Sequence, residues 1–196
     1  MLFKDKRLLW VAAILIIALP IAIAATSPLL AWRRPVYIIS GFAGILGLGL
    51  LFIQPLLAQG ILPTRSVRQF RDFHFWLGLV LMLTVIVHVI GLWITSPPDM
   101  VDALLFRAPT VFSYLGVIAM WAIFLAGGLM MTRRHLALSP ATLRKIHRAL
   151  AVLIVTTTVA HALLIEGTMG TVSKWLVCAV ALATLAKVFL DRRWQS

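Results

Sequence analysis

Apolar residues along this chain fall into six long runs, each closed by basic, proline or small polar positions. The runs are Leu8–Ala25, Val36–Ala58, Phe73–Thr95, Val111–Met131, Ala149–Ile165 and Val172–Leu190. About 17–25 apolar residues cross the hydrocarbon core of a bilayer as a helix, so each run predicts a membrane-spanning helix. The fifth run is short on its own. It begins earlier, around Leu143 to Lys145, with its basic residues at the surface, which gives a helix of about 145–166. Pro28, Pro35, Pro63, Pro97, Pro98, Pro109 and Pro140 lie between the runs, where a helix break is tolerated. The expected fold class is all-α: an integral membrane bundle of six helices, with residues 1–196 as a single transmembrane domain.

Lys4, Lys6 and Arg7 precede the first run, which ends in Ala22-Ile23-Ala24 and so looks like a signal peptide with a small-residue cleavage site. The run is long for a signal h-region and contains Pro20, and it is read as a retained helix. Composition supports the membrane reading: 62% of residues are hydrophobic and 12% charged, where soluble domains carry about 25% charged. A net charge of +12 would suggest nucleic acid in a soluble protein, but here Lys and Arg sit at the ends of the apolar runs, and no nucleic-acid partner is expected. The amino terminus, the Gln59–Asp72 segment, the Thr132–Arg148 segment and the tail from Lys187 carry 3, 3, 5 and 3 of the 18 basic residues. Only Arg33, Arg34, Arg107 and Lys174 lie on the other side. The positive-inside rule then puts both termini in the cytoplasm of a multi-pass protein of the cell inner membrane. Asp99, Asp102 and Glu166 fall outside. Cys178 is alone, which excludes an intramolecular disulfide, and its apolar setting reads as packing.

Four of the five histidines change the picture. His74 and His88 in the third run are fourteen residues apart, and so are His147 and His161 in the fifth. Fourteen residues fall about 40° short of four helical turns, so each pair lies on one face, about 21 Å apart along the axis. One helix separates the two segments, so they run parallel: His74 levels with His147 near the cytoplasm, and His88 with His161 towards the outside. Any one of these rings could be a buried histidine bonded to a neighbouring carbonyl. Two equal spacings on parallel helices point instead to two His–His clamps at two depths, the arrangement that suits two b-type haems. Zinc would want a tight cluster of three or four ligands, and the Cys, Asp or Glu it requires are absent from these runs. His135, in Arg133-Arg134-His135, reads as a solvated loop residue. Arg71 and Arg148 flank the inner histidines and are the candidates for inner haem propionates, with Arg144 and Lys145 nearby; positive-inside placement explains the same charges. Arg33, Arg34, Arg107 and Lys174 are the outer candidates. Gly78 and Gly91 could let a macrocycle or a helix approach, and Gly41, Gly44, Gly47 and Gly49 suit helix packing. Phe73, Phe75, Trp76 and Trp93 are candidate haem walls or interfacial aromatics.

Phe73-His74, Gly78 and His88, together with His147-Arg148 and His161 after a basic stretch, resemble the ferric reductase-like transmembrane domain over about residues 36–166. That superfamily includes ferric reductases, the membrane part of NADPH oxidases and the haem-binding membrane subunit of the periplasmic methionine sulfoxide reductase system. The resemblance implies six helices, two haems b as metal-bound cofactors, and electron flow outwards. It implies that His74 and His147 hold the inner iron, and His88 and His161 the outer. Two features depart from the pattern. The sulfoxide reductase subunits generally lack a histidine at the position of His74. The fourteen-residue spacing in the fifth run is one longer than is common.

No flavin- or nicotinamide-binding segment follows the sixth run. The first reading is therefore an electron-transfer, oxidoreductase component. Its donor is a separate flavin, flavoprotein or quinol, and its acceptor lies on the outer face: an iron chelate, oxygen or a periplasmic redox partner. A second reading is the quinol-linked cytochrome b anchor of a dehydrogenase, with Thr84 or Thr156, Thr157 and Thr158 beside a quinone. A third is a haem-free transporter or scaffold.

Overall fold

A computed structural model of the chain describes residues 6–62 and 66–190; the expectations on Lys4, Pro63, Arg65, Arg192 and Arg193 lie outside these. Among the described residues there are seven α-helices and no strand. They are α1 (Lys6–Ala25), α2 (Pro35–Ala58), α3 (Val67–Thr95), α4 (Pro97–Leu104), α5 (Val111–Thr132), α6 (Pro140–Leu164) and α7 (Thr171–Leu190), with a single 3-10 turn at Pro28–Leu30. α1, α2, α3, α5 and α6 are long and apolar enough to cross a membrane. Their outward faces are apolar too: Ile14, Leu15, Ile90, Trp121 and Leu125 are all more than half exposed. Such a surface is stable only against lipid, and the chain is a multi-pass membrane protein. α7 fills the place of the sixth expected span but is not one of the five over its described residues.

Three elements differ from the expectation. α4 is a short additional helix where a loop was expected, because Pro97 and Pro98 sit in its first turn, where the missing N–H costs no bond. α3 begins at Val67 rather than near Phe73, and α6 at Pro140 rather than near Lys145. Ser66 caps α3 by accepting from the Gln69 N–H (3.1 Å), and Ser139 caps α6 by accepting from the Thr142 N–H (3.1 Å). Both caps add a polar first turn that continues an apolar helix beyond the hydrocarbon. His74 and His147 consequently sit at matching places, each seven residues after the first residue of its helix.

The closest packing is within two hairpins of neighbouring helices, α2 with α3 and α5 with α6. α7 lies against α2 and α6, α1 against α2 and α7, and α4 bridges α3 and α5. The main core gathers Phe52, Leu57, Val155, Val177 and Cys178, all nearly inaccessible, from α2, α6 and α7. Cys178 is thus a packing residue. α2 meets α3 so closely at Gly91 that an added Cβ there would lie 2.7 Å from the Ser40 Cβ. Of the α2 glycines, Gly49 faces Ile17 of α1 and Gly47 faces Thr84, whereas Gly41 faces open space. By contrast, α3 and α6 are not among the closely packed pairs; they meet through side chains.

Candidate functional site

Those side chains are the histidines. The His74 and His147 rings face each other with centres 6.2 Å apart and planes crossed at 72°. Two imidazoles ligating one metal ion from opposite sides, each through a bond of about 2.0–2.1 Å, have ring centres about 6 Å apart. The buried Nδ1 atoms of both rings have no hydrogen-bond partner among the described residues. Phe70 lies against His74, ring centres 6.3 Å apart. Gly78 abuts the Gln54 side chain, 3.5 Å from an added Cβ to Nε2, and both amide atoms of Gln54 are buried without a partner among the described residues. The 74/147 level therefore concentrates polar atoms that the apolar interior would ordinarily exclude.

The 88/161 level is built differently. His88 Nδ1 donates to the Ser40 carbonyl at 2.8 Å, and the Ser40 hydroxyl donates back to the His88 carbonyl at 2.6 Å. His161 Nδ1 donates to the Phe112 carbonyl at 2.7 Å. A carbonyl can only accept, so each ring carries its proton on Nδ1 and presents a bare Nε2 lone pair. That is the state in which a histidine ligates iron through Nε2, with its second nitrogen anchored. The carbonyl bond expected of an ordinary buried histidine is thus present, but it uses one ring nitrogen of two. Each ring also lies flush on a glycine: an added Cβ at Gly44 would be 2.9 Å from His88 Nδ1, and at Gly116 2.8 Å from His161 Nδ1. In both hairpins the glycine is four residues after the accepting carbonyl, one turn along the same helix face.

The structure thus brings His74 to His147 and gives His88 and His161 matching settings; it does not gather the charged candidates around them. Arg71 is exposed, and Arg148 is half-buried and engaged within the chain. Arg33 lies over the Tyr37 ring, 4.6 Å from its centre. Lys174 Nζ donates to the Leu163 and Ile165 carbonyls at 3.2 and 2.7 Å, which places it at the end of α6 rather than free for an anion. His135 is exposed. Phe75, Trp76 and Trp93 are exposed, and Phe73 packs edge-on against Trp10; the aromatics beside the histidines are Phe70 and Phe112 instead. Thr84, Thr156 and Thr157 donate to their own helices, whereas the Thr158 hydroxyl is buried without a partner among the described residues. Among the described residues no group of three or more His, Cys, Asp or Glu side chains could hold a metal ion. Ser40, Gly44, Phe112 and Gly116 were not assigned to the histidines from sequence. The only trace of these partners in the sequence is a glycine, Gly44 or Gly116, in the helix preceding each histidine helix.

No family model, curated protein or solved structure matches this chain.

Proposed function

We propose that this protein is a b-type dihaem membrane cytochrome of the cell inner membrane, with six crossings and both termini cytoplasmic. It would carry electrons from a cytoplasmic flavin, flavoprotein or quinol to an acceptor on the outer face. The observation that carries this reading is the pairing of His74 with His147 at 6.2 Å between two helices that meet through side chains rather than backbone. The Nδ1-anchored rings of His88 and His161 support a second level of the same kind. Haem would supply reversible one-electron transfer at each level. The chain supplies two imidazoles per level, apolar helices that keep water away from them, and anchors that fix the rings. Arg71 and Arg148, within one helical turn of His74 and His147 in sequence, remain the candidates for propionates at the cytoplasmic end. The resemblance of the His74–His88 and His147–His161 segments to ferric reductase-like domains agrees with this assignment, which leaves the donor class open.

The test is a reduced-minus-oxidised absorbance spectrum of the purified protein, with haem quantified per chain. Two b-type haems per chain are expected, and one in each of His74→Ala and His88→Ala. A protein expressed with ample haem that shows no b-type signal overturns the reading.

A further inference from the structure

The two levels are not built alike, and the difference lies in how their rings are anchored. At the 88/161 level both Nδ1 atoms have carbonyl acceptors, both rings rest on a glycine, and Ser40, itself fully buried, clasps His88 by two reciprocal bonds. At the 74/147 level neither Nδ1 has a hydrogen-bond partner among the described residues, and the one backbone group that acts on His74 is that of Gln54, with no clasp and no glycine beneath the ring. A ligand ring fixed in tautomer and orientation before the metal arrives loses less freedom on binding it. Removal of such an outer anchor typically weakens metal binding about 10–100-fold.

We infer that the 88/161 level is the tight haem site of the two, and that Ser40, Gly44 and Gly116 are its positioning residues, a step that rests on the dihaem reading. Gly44 and Gly116 are small because the imidazole occupies the volume a methyl would take. The 74/147 level binds haem second and exchanges it more readily. Gln54, whose amide lies buried with no partner among the described residues on the helix facing α3, belongs to that looser level.

The fold provides its own controls. Among the described residues, an added Cβ at Gly41 of α2 or Gly128 of α5 meets nothing within 4 Å. Gly→Ala favours the helix at all four positions, so loss of helix does not confound the comparison. Haem-depleted protein in detergent is titrated with haem in a His74→Ala background, which keeps the 88/161 level, and in a His88→Ala background, which keeps the other. The expected result is affinity about 10–100-fold higher in the His74→Ala protein. Adding Gly44→Ala or Gly116→Ala to it should lower that affinity about tenfold or more and shift the low-spin ferric EPR signal. Gly41→Ala and Gly128→Ala should leave both readouts in place. Equal affinities in the two backgrounds, or equal effects of the contact and control glycines, overturn the inference while the dihaem reading stands. Absence of b-type haem from both backgrounds overturns the two together.

Discussion

At the residue scale the histidine rings are set by what surrounds them rather than by charge. Gly91 shows how little slack the α2–α3 hairpin has. A methyl there would lie 2.7 Å from the Ser40 Cβ and 3.3 Å from the Val36 carbonyl, both on α2. Neither atom can swing away without moving the helix, so Gly91→Ala should destabilise the fold by about 1–3 kcal/mol. Gly127→Ala looks worse by distance, 2.5 Å to Met82 Sδ, but that sulfur is the end of a flexible thioether and can turn aside. The expected order is therefore the reverse of the distances, with Gly127→Ala losing less than 1 kcal/mol. Thermal unfolding of the two variants in one detergent checks it, and a larger loss at Gly127 would refute the flexibility argument. The doubled spacing of the histidines was legible in sequence because helix geometry alone puts residues fourteen apart on one face. Their carbonyl partners were not, since a backbone oxygen has no letter of its own. Only the small residue that lets a ring come close leaves a trace.

At the element scale, apolar runs locate the buried part of a helix and miss its polar ends. α3 and α6 are longer than hydropathy shows because Ser66 and Ser139 begin helical turns among charged residues. The far end of α6 carries a different device. Its last carbonyls have no helical N–H to bond, and Lys174 from α7 donates to two of them. An ammonium at a helix C-terminus also meets the negative end of the macrodipole. The sequence showed only a lone lysine on the sparsely charged side, which is equally what an anion-binding residue looks like. The two roles separate experimentally. Lys174→Met should lower stability by about 0.3–1 kcal/mol, read as a fall of a few degrees at most in unfolding temperature, with haem content unchanged. Loss of haem from the 88/161 level in that variant would restore Lys174 as a propionate partner and displace the capping account.

At the scale of the whole molecule, α2–α3 and α5–α6 are two similar hairpins whose second helices carry the histidines and whose first helices carry the acceptors. Their juxtaposition at 74/147 requires α3 and α6 to run the same way, so an odd number of crossings must lie between the two spans. α5 alone supplies it; α4, with eight residues, is too short to cross. This fixes the relative directions of α3 and α6, and the sides proposed for them rest on the basic residues. Among the described residues, Arg68 and Arg71 at the start of α3, and Arg133, Arg134, Arg144, Lys145 and Arg148 around the start of α6, gather at the ends where these two helices begin. Cysteine labelling tests the assignment with little background, because the native Cys178 is only 1% exposed. Trp32→Cys, at a residue 94% exposed between α1 and α2, should react with a membrane-impermeant maleimide on intact cells. Arg134→Cys, exposed between α5 and α6, should react only after the membrane is opened. Ser196→Cys should behave like Arg134→Cys if α7 is the sixth crossing, and like Trp32→Cys if the chain crosses five times. Reversal of the first two would turn the molecule over and place His88 and His161 at the cytoplasmic side. The anchored level would then face the donor, and the direction proposed for the electrons would fall with it.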